Sequence, residues 1–208
     1  MERGKFITFE GIEGVGKSSN IAVFVERVEG AGHKVLTTRE PGGTPFAEDI
    51  REILMNRSDE PVPEIAELLL MFAARSFNVN NVIRPALEAG TWVVSDRFTD
   101  SSRAYQGGGR GLPMDTVDRI ADWVHGETWP DLTILLDAPV EIGMGRAGTR
   151  SAPDRIEQER HDFFERVRAC YLEIAAREKD RFVVVDTTRP IAEVKADVAV
   201  LAEQLLGN

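Results

Sequence analysis

Gly11-Ile12-Glu13-Gly14-Val15-Gly16-Lys17-Ser18 matches the pattern G-x-x-x-x-G-K-[ST] without a gap. The run Phe6-Ile7-Thr8-Phe9 ahead of it reads as a buried strand, and Ile21, Phe24, Val25 and Val28 behind it recur at helical spacing. Strand, glycine-rich loop and helix in that order make a cradle for polyphosphate. Glycines let the backbone wrap tightly enough for several N–H groups to face one anion, and the positive end of the following helix adds to the field. Lys17 can reach the β- and γ-oxygens of a nucleoside triphosphate, and the Ser18 hydroxyl can ligate Mg²⁺. The expected ATP site therefore runs from Gly11 to the adjoining Ser19. The bland alternative, a glycine-rich turn with an incidental Lys-Ser pair, leaves the flanking strand and helix unexplained.

Four more apolar runs, Lys34–Thr38, Trp92–Ser95, Leu132–Leu136 and Phe182–Val185, join Lys5–Phe9. They read as apolar throughout rather than alternating, as in a parallel sheet buried on both faces. Helical patterns occupy about 44–56, 64–89, 113–125, 155–178 and 190–206. The expected fold is a doubly wound α/β sheet of five parallel strands flanked by helices, one domain over residues 1–208. Ligands of such sheets sit beyond the carboxyl ends of the strands. The formal net charge of −10 argues against a nucleic-acid surface, so arginines must gather at any polyphosphate site. The single cysteine, Cys170, excludes an internal disulfide framework, a Cys-rich zinc site and a C-x-x-C motif. No apolar stretch approaches the ~20 residues that span a bilayer, and the N-terminus lacks a signal h-region and cleavage site. The expected location is the cytoplasm, without nucleic-acid or membrane partners.

The loops at the carboxyl edge carry the chemistry. Asp96, ending the third strand, can hold Mg²⁺ directly or through water, and Arg97 beside it can fork onto a phosphate. The second strand ends Thr38-Arg39-Glu40-Pro41-Gly42-Gly43-Thr44, a sharp turn in which Glu40 can orient Arg97 or Arg39. The proline leaves the isomer of the Glu40–Pro41 bond open. Phe72 and Arg75, three apart on one helix, share a face, so a ring and a guanidinium can meet a planar base. Phe72 on its own reads more readily as core, whereas Arg75 on an apolar stretch needs a partner. Ser101-Ser102-Arg103-Ala104-Tyr105-Gln106 and the glycines after them read as a nucleoside lining or as a helix fraying into a loop, and the local pattern favours fraying. Gly143, Gly145, Gly148 and Pro153 weaken helix in a stretch threaded with Arg146, Arg150 and Arg155. That stretch reads as a solvated basic loop or as a lid over about 143–156, and the phosphate loop in the same chain favours the lid.

Phe9-Glu10-Gly11, the phosphate loop, Thr38 to Thr44, Asp96-Arg97, Ala104-Tyr105-Gln106-Gly107-Gly108-Gly109-Arg110-Gly111 and Asp154-Arg155-Ile156-Glu157 together resemble bacterial thymidylate kinases. The motifs run in order from residue 6 to about residue 190; most are weak alone, and their combination is specific. The resemblance implies the three-layer P-loop kinase fold with an Arg-rich lid, a homodimer, and Mg²⁺-dependent transfer of the ATP γ-phosphate to dTMP in dTTP biosynthesis. It implies Glu13 near the sugar 3′-OH, Phe72 on thymine, Arg75 on its carbonyl edge, and Ser101 and Ser102 among the base contacts. It puts Tyr105 and Gln106 beside the 2′ carbon, and Arg39 and Arg97 on the acceptor phosphate. One type in the family carries a basic residue after the loop acid, where this chain has Gly14. The chain thus resembles the type whose lid supplies the arginine, and the expected catalytic set is Lys17, Arg97, Arg146, Arg150 and Arg155. Phe98 and Asp100 depart from the family pattern near the site.

Two other readings stand beside this one. A kinase on the same fold could act on another nucleoside monophosphate, or on a nucleoside, which would need a carboxylate base such as Glu10 or Asp96. A nucleotide-dependent switch of the GTPase type would carry N-K-x-D, which does not occur.

Overall fold

Phe6–Glu10 forms β1, and all five of its residues are buried. The computed structural model describes residues 3–56, 60–147 and 155–207. β3 (Trp92–Asp96) and β4 (Leu132–Asp137) pair with β1 on either side, parallel to it. β2 (Val35–Arg39) lies beyond β3 and β5 (Phe182–Asp186) beyond β4, giving a five-stranded sheet in the order β2-β3-β1-β4-β5. Every strand reaches one residue past its apolar run, onto Glu10, Arg39, Asp96, Asp137 or Asp186. The carboxyl edge of the sheet is therefore a row of charges. Burial on both faces holds for the centre only, because edge strand β2 exposes Thr37 and Arg39.

The helices are α1 (Lys17–Gly30), α2 (Pro45–Met55), α3 (Glu64–Asn78), α4 (Arg84–Glu88), α5 (Thr99–Ser102), α6 (Met114–His125), α7 (Val140–Ala147), α8 (His161–Arg177) and α9 (Ile191–Leu206). Thr44 caps α2, its hydroxyl accepting from the Ala47 amide at 3.2 Å, with Pro45 at the first helical position. A π-helical segment, Val79–Ile83, joins α3 to α4, so the helical pattern over 64–89 is one continuous element. The main core joins Ile7, Phe9 and Ile134 of the sheet to Phe24 and Val28 of α1 and Phe164 and Val167 of α8. No helix among the described residues is long and apolar enough to cross a membrane.

Two stretches differ from expectation. Arg103–Gly109 does not fray: it is a π-helical continuation of α5, held beneath α8. A Cβ on Gly108 would stand 2.5 Å from Cys170 Cβ, and one on Gly109 2.5 Å from the Phe163 ring. The glycines there serve close packing. Gly143 and Gly145 lie inside α7, and a Cβ on Gly143 would stand 2.7 Å from the Glu13 carbonyl oxygen. Gly143 thus lets α7 rest on the phosphate loop. Residues 155–158 form turns, and the helix expected from 155 begins at His161.

Candidate active site

Between β1 and α1 the chain turns through Gly11, Gly14 and Gly16, with φ of 130°, 75° and 91°. A Cβ on Gly14 would stand 1.9 Å from the Gly143 carbonyl oxygen, so contact with α7 excludes a side chain there. Lys17 Nζ donates to the carbonyls of Gly11 and Ile12, both at 3.2 Å. Burial, and then the charge of Arg97, draw the lysine below its ordinary pKa, against the pull of Asp96 and Glu13. Ser19 bonds back to the Gly16 carbonyl at 3.0 Å.

Three cavities adjoin this loop. A chamber of about 300 Å³ is lined by Lys17, Ser18, Arg39, Arg51, Asp96 and Arg97 among others. Asp96 Oδ1 is buried and has no hydrogen-bond partner among the described residues. With the Ser18 hydroxyl in the same chamber, the oxygen donors suit a hard cation such as Mg²⁺. A slot of about 220 Å³ opens on the Val15 and Ser19 side, bounded by Asn20, Arg146, Thr187 and Arg189. A third cavity, about 80 Å³, is lined by Met55, Met71, Arg75, Ser102, Tyr105 and Gln106 among others. Glu13, Glu40, Arg51 and Arg97 line both this cavity and the chamber, and Gly14 and Gly16 line both the chamber and the slot. The three spaces therefore follow one another along the carboxyl edge.

Arg75 is buried and satisfied on every arm. Nε donates to Glu40 Oε2 at 2.6 Å, Nη1 to Ser102 Oγ at 3.1 Å, and Nη2 to the Phe98 carbonyl at 3.0 Å. Glu40 therefore orients Arg75, not Arg97 or Arg39, and its other oxygen accepts from Asn78 at 3.2 Å. The Glu40–Pro41 peptide is cis. Phe72 is 1 % exposed, packed with Leu68, Val117 and Ala121, and lies under the Arg75 guanidinium at 4.5 Å. The side chain that faces the cavity is Met71, one residue earlier. Arg39 pairs with Glu48 at 2.7 Å and borders the chamber. Gln106 lends its amide to Glu67 at 2.8 Å.

Arg97 stands where the cavity meets the chamber, with φ of 72°. Nη2 reaches Glu13 at 2.6 Å and the Tyr105 hydroxyl at 3.0 Å, and Tyr105 donates in turn to Glu13 at 2.8 Å. Nη1 faces Ser101 Oγ at 3.2 Å and the Tyr171 hydroxyl at 3.3 Å. Behind it, fully buried Glu10 is pushed up to about 7 by burial and by the neighbouring charge of Asp100. Asp100 itself is fully buried and gripped by Arg181 at 2.7 and 2.9 Å and by Arg103 at 3.3 Å, while Phe98 packs edge-on to Phe6. The two departures from the family pattern thus belong to the framework.

Arg146 and Arg155 are held at different places. Arg146, on α7, borders the slot and donates to the Thr187 carbonyl at 3.0 Å. Arg155 donates to the Leu54 carbonyl at 2.9 Å and to Glu67 Oε2 at 2.6 Å, which fastens its segment onto α2 and α3. Arg150 lies outside the described residues. The sequence reading missed Tyr171, Glu67, Arg51, Met55 and Met71. Only Met71 carried a signal, since it lies four residues before Arg75 and so also shares its face.

Residues 9–198 match the thymidylate kinase family model. The chain belongs to the thymidylate kinase family. It is 53 % identical to the thymidylate kinase of Methylococcus capsulatus, over all of this chain and 99 % of that one. It is 50 % identical to that of Alcanivorax borkumensis, over 97 % of each. The crystal structure of the Ehrlichia chaffeensis thymidylate kinase superposes with a TM-score of 0.75 at 30 % identity, covering 96 % of this chain and 98 % of that one.

Proposed function

We propose that this thymidylate kinase transfers the γ-phosphate of ATP to the 5′-phosphate of dTMP, releasing dTDP and ADP. The observation that carries the reading is Arg97, which borders both the small cavity and the phosphate chamber. An acceptor base in the small cavity directs its phosphate past Arg97 to the loop, and a triphosphate from the slot reaches the same chamber from the other side. The slot beside Asn20, Arg146 and Thr187 takes the ATP nucleoside.

An oxygen of the acceptor phosphate attacks the γ-phosphorus in line, and the bond from that phosphorus to the β–γ bridging oxygen breaks. The attacking oxygen is already an anion, so no general base is needed. Lys17, Arg97 and Arg39 offset charge on the phosphates, and position matters more than covalent chemistry. Asp96 and Ser18 are the residues that would hold Mg²⁺, which when bound neutralises triphosphate charge. Arg75 reads the carbonyl edge of thymine, Met71 rather than Phe72 meets its face, and Ser101, Ser102 and Gln106 line its polar rim. Tyr105, tied to Glu13 and Arg97, occupies the sugar end. Glu10 is engaged by three hydrogen bonds, which disfavours it as the base of a nucleoside kinase. Exposed Phe46 and Ile53 of α2, with Ile65, Leu69 and Phe77 of α3, support a homodimer joined across that face.

The test is ADP release with ATP and Mg²⁺ over a panel of acceptors: dTMP, dUMP, CMP, AMP and thymidine. The expected order puts dTMP first by the ratio kcat/KM. Any other acceptor ranked first overturns the specificity, and ATP loss without an acceptor overturns the reaction.

A further inference from the structure

Arg97 is held on a platform of two hydroxyls, and both hydroxyls rest on one buried carboxylate. Glu10 ends β1, one residue before the phosphate loop, and is fully buried. Its Oε2 accepts from Ser101 Oγ at 2.5 Å and from the Tyr171 hydroxyl at 2.8 Å. Ser101 comes from α5 and Tyr171 from α8, and the two oxygens stand 2.8 Å apart. Each hydroxyl has one proton to give. With both protons directed at Glu10, both oxygens turn lone pairs toward Arg97 Nη1, which lies 3.2 and 3.3 Å away. Glu10 Oε1 meanwhile accepts the Phe98 amide at 2.7 Å, fixing the residue that follows Arg97. Arg97 has a left-handed backbone (φ 72°), a conformation that costs energy outside glycine, so a clamp on the next peptide bears directly on where its side chain points.

We infer that Glu10 is a positioning residue for the acceptor phosphate: through Ser101, Tyr171 and the Phe98 amide it sets the direction of the Arg97 guanidinium. The inference rests on the reading of the small cavity as the dTMP site. Glu13 and Tyr105 grip only the other arm of Arg97, Nη2. Orientation of Nη1 therefore falls to the Glu10 platform. Above pH 7 Glu10 is ionised and only accepts, whereas a carboxamide in its place donates through its nitrogen. In Glu10→Gln the amide hydrogens occupy the lone pairs of Ser101 and Tyr171, and the hydroxyl protons swing toward the guanidinium they should receive.

The test compares the parent enzyme with Glu10→Gln and Tyr171→Phe at about pH 8.5, where Glu10 is ionised, by calorimetric binding of dTMP and of thymidine, by KM for both substrates, and by melting temperature. Glu10→Gln is expected to weaken dTMP about tenfold or more, a loss of ~1.4 kcal/mol. Thymidine binding and KM for ATP should stay within about twofold of the parent, with no drop in melting temperature. Tyr171→Phe, which removes one of the two acceptors, should weaken dTMP by a smaller factor and spare thymidine. Equal losses for dTMP and thymidine, or a loss that tracks a lowered melting temperature, overturn the inference, as does unchanged dTMP affinity in both variants. If Glu10→Gln does not fold, Tyr171→Phe alone decides by the same dTMP-to-thymidine comparison. Failure of the parent to bind dTMP would instead reject the functional reading.

Discussion

Replacing Arg75 with Met removes the cation from an ion pair whose two side chains are each only 3 % exposed. Three donated hydrogen bonds go with it, to Glu40, Ser102 and the Phe98 carbonyl. The damage comes chiefly from what is left behind: a carboxylate in the interior with Asn78 as its remaining side-chain donor among the described residues. Breaking a buried pair from one side costs about 3–5 kcal/mol, more than any exposed pair in this protein can contribute. Lost contact with the rings of Phe72 and Phe98, 4.5 and 5.1 Å from the guanidinium, adds to that sum. At about 2–4 °C per kcal/mol for a domain of this size, the melting midpoint should fall by roughly 6–20 °C. Glu40→Gln added to Arg75→Met removes the stranded charge, so the double variant should regain about 2 kcal/mol. Urea unfolding of the four proteins of this cycle measures both quantities. A loss below about 1 kcal/mol in Arg75→Met, or strict additivity in the double variant, refutes the reasoning.

Arg146→Ala is expected to raise KM for ATP with little change in KM for dTMP, and Arg155→Ala to do the reverse while lowering stability, because the first borders the slot and the second ties its segment to Glu67; steady-state kinetics with each substrate varied checks the split. Glu10, at about 7 in the folded state against 4.5 in the unfolded chain, keeps a proton there that the unfolded chain has lost, so its contribution to stability falls as pH rises through that window, by on the order of 3 kcal/mol. His125, drawn by burial from 6.5 to about 3, acts in the opposite sense below 6.5, so unfolding of the parent and of Glu10→Gln from pH 4.5 to 7 should differ by a margin that changes with pH; a constant margin contradicts the shift. For the homodimer proposed across α2 and α3, Ile53→Glu combined with Leu69→Glu should leave only monomer by light scattering where the parent runs as a dimer, since both side chains are more than half exposed on that apolar face; a parent that is already monomeric contradicts the proposal.

Much of this was legible in the chain because local rules govern it. The phosphate loop is contiguous, and the strands announce themselves up to the charged residue that ends each one. What escaped depends on packing between distant parts. Phe72 and Met71 lie three and four residues before Arg75, and helical spacing admits both as its neighbours. Contact with Val117 and Ala121 of α6 decides that Phe72 goes inward. Glu10 and Tyr171 are separated by 161 positions, so no window could pair them. The glycines at 107–109 look flexible in isolation and are fixed by distant residues, Cys170, Phe163 and Met114 among them, packed against them. The ion pair of Arg155 with Glu67, on a helix 88 positions away, is likewise beyond any local window.

The central claim is that two nucleotides occupy the slot and the small cavity at once, with their phosphates meeting over Lys17. Adenosine and thymidine joined 5′ to 5′ through a pentaphosphate spans all three spaces in one molecule. Inhibition competitive with ATP and with dTMP alike, and binding tighter than either nucleotide alone, is the predicted result. Competition with only one of the two substrates would contradict the account.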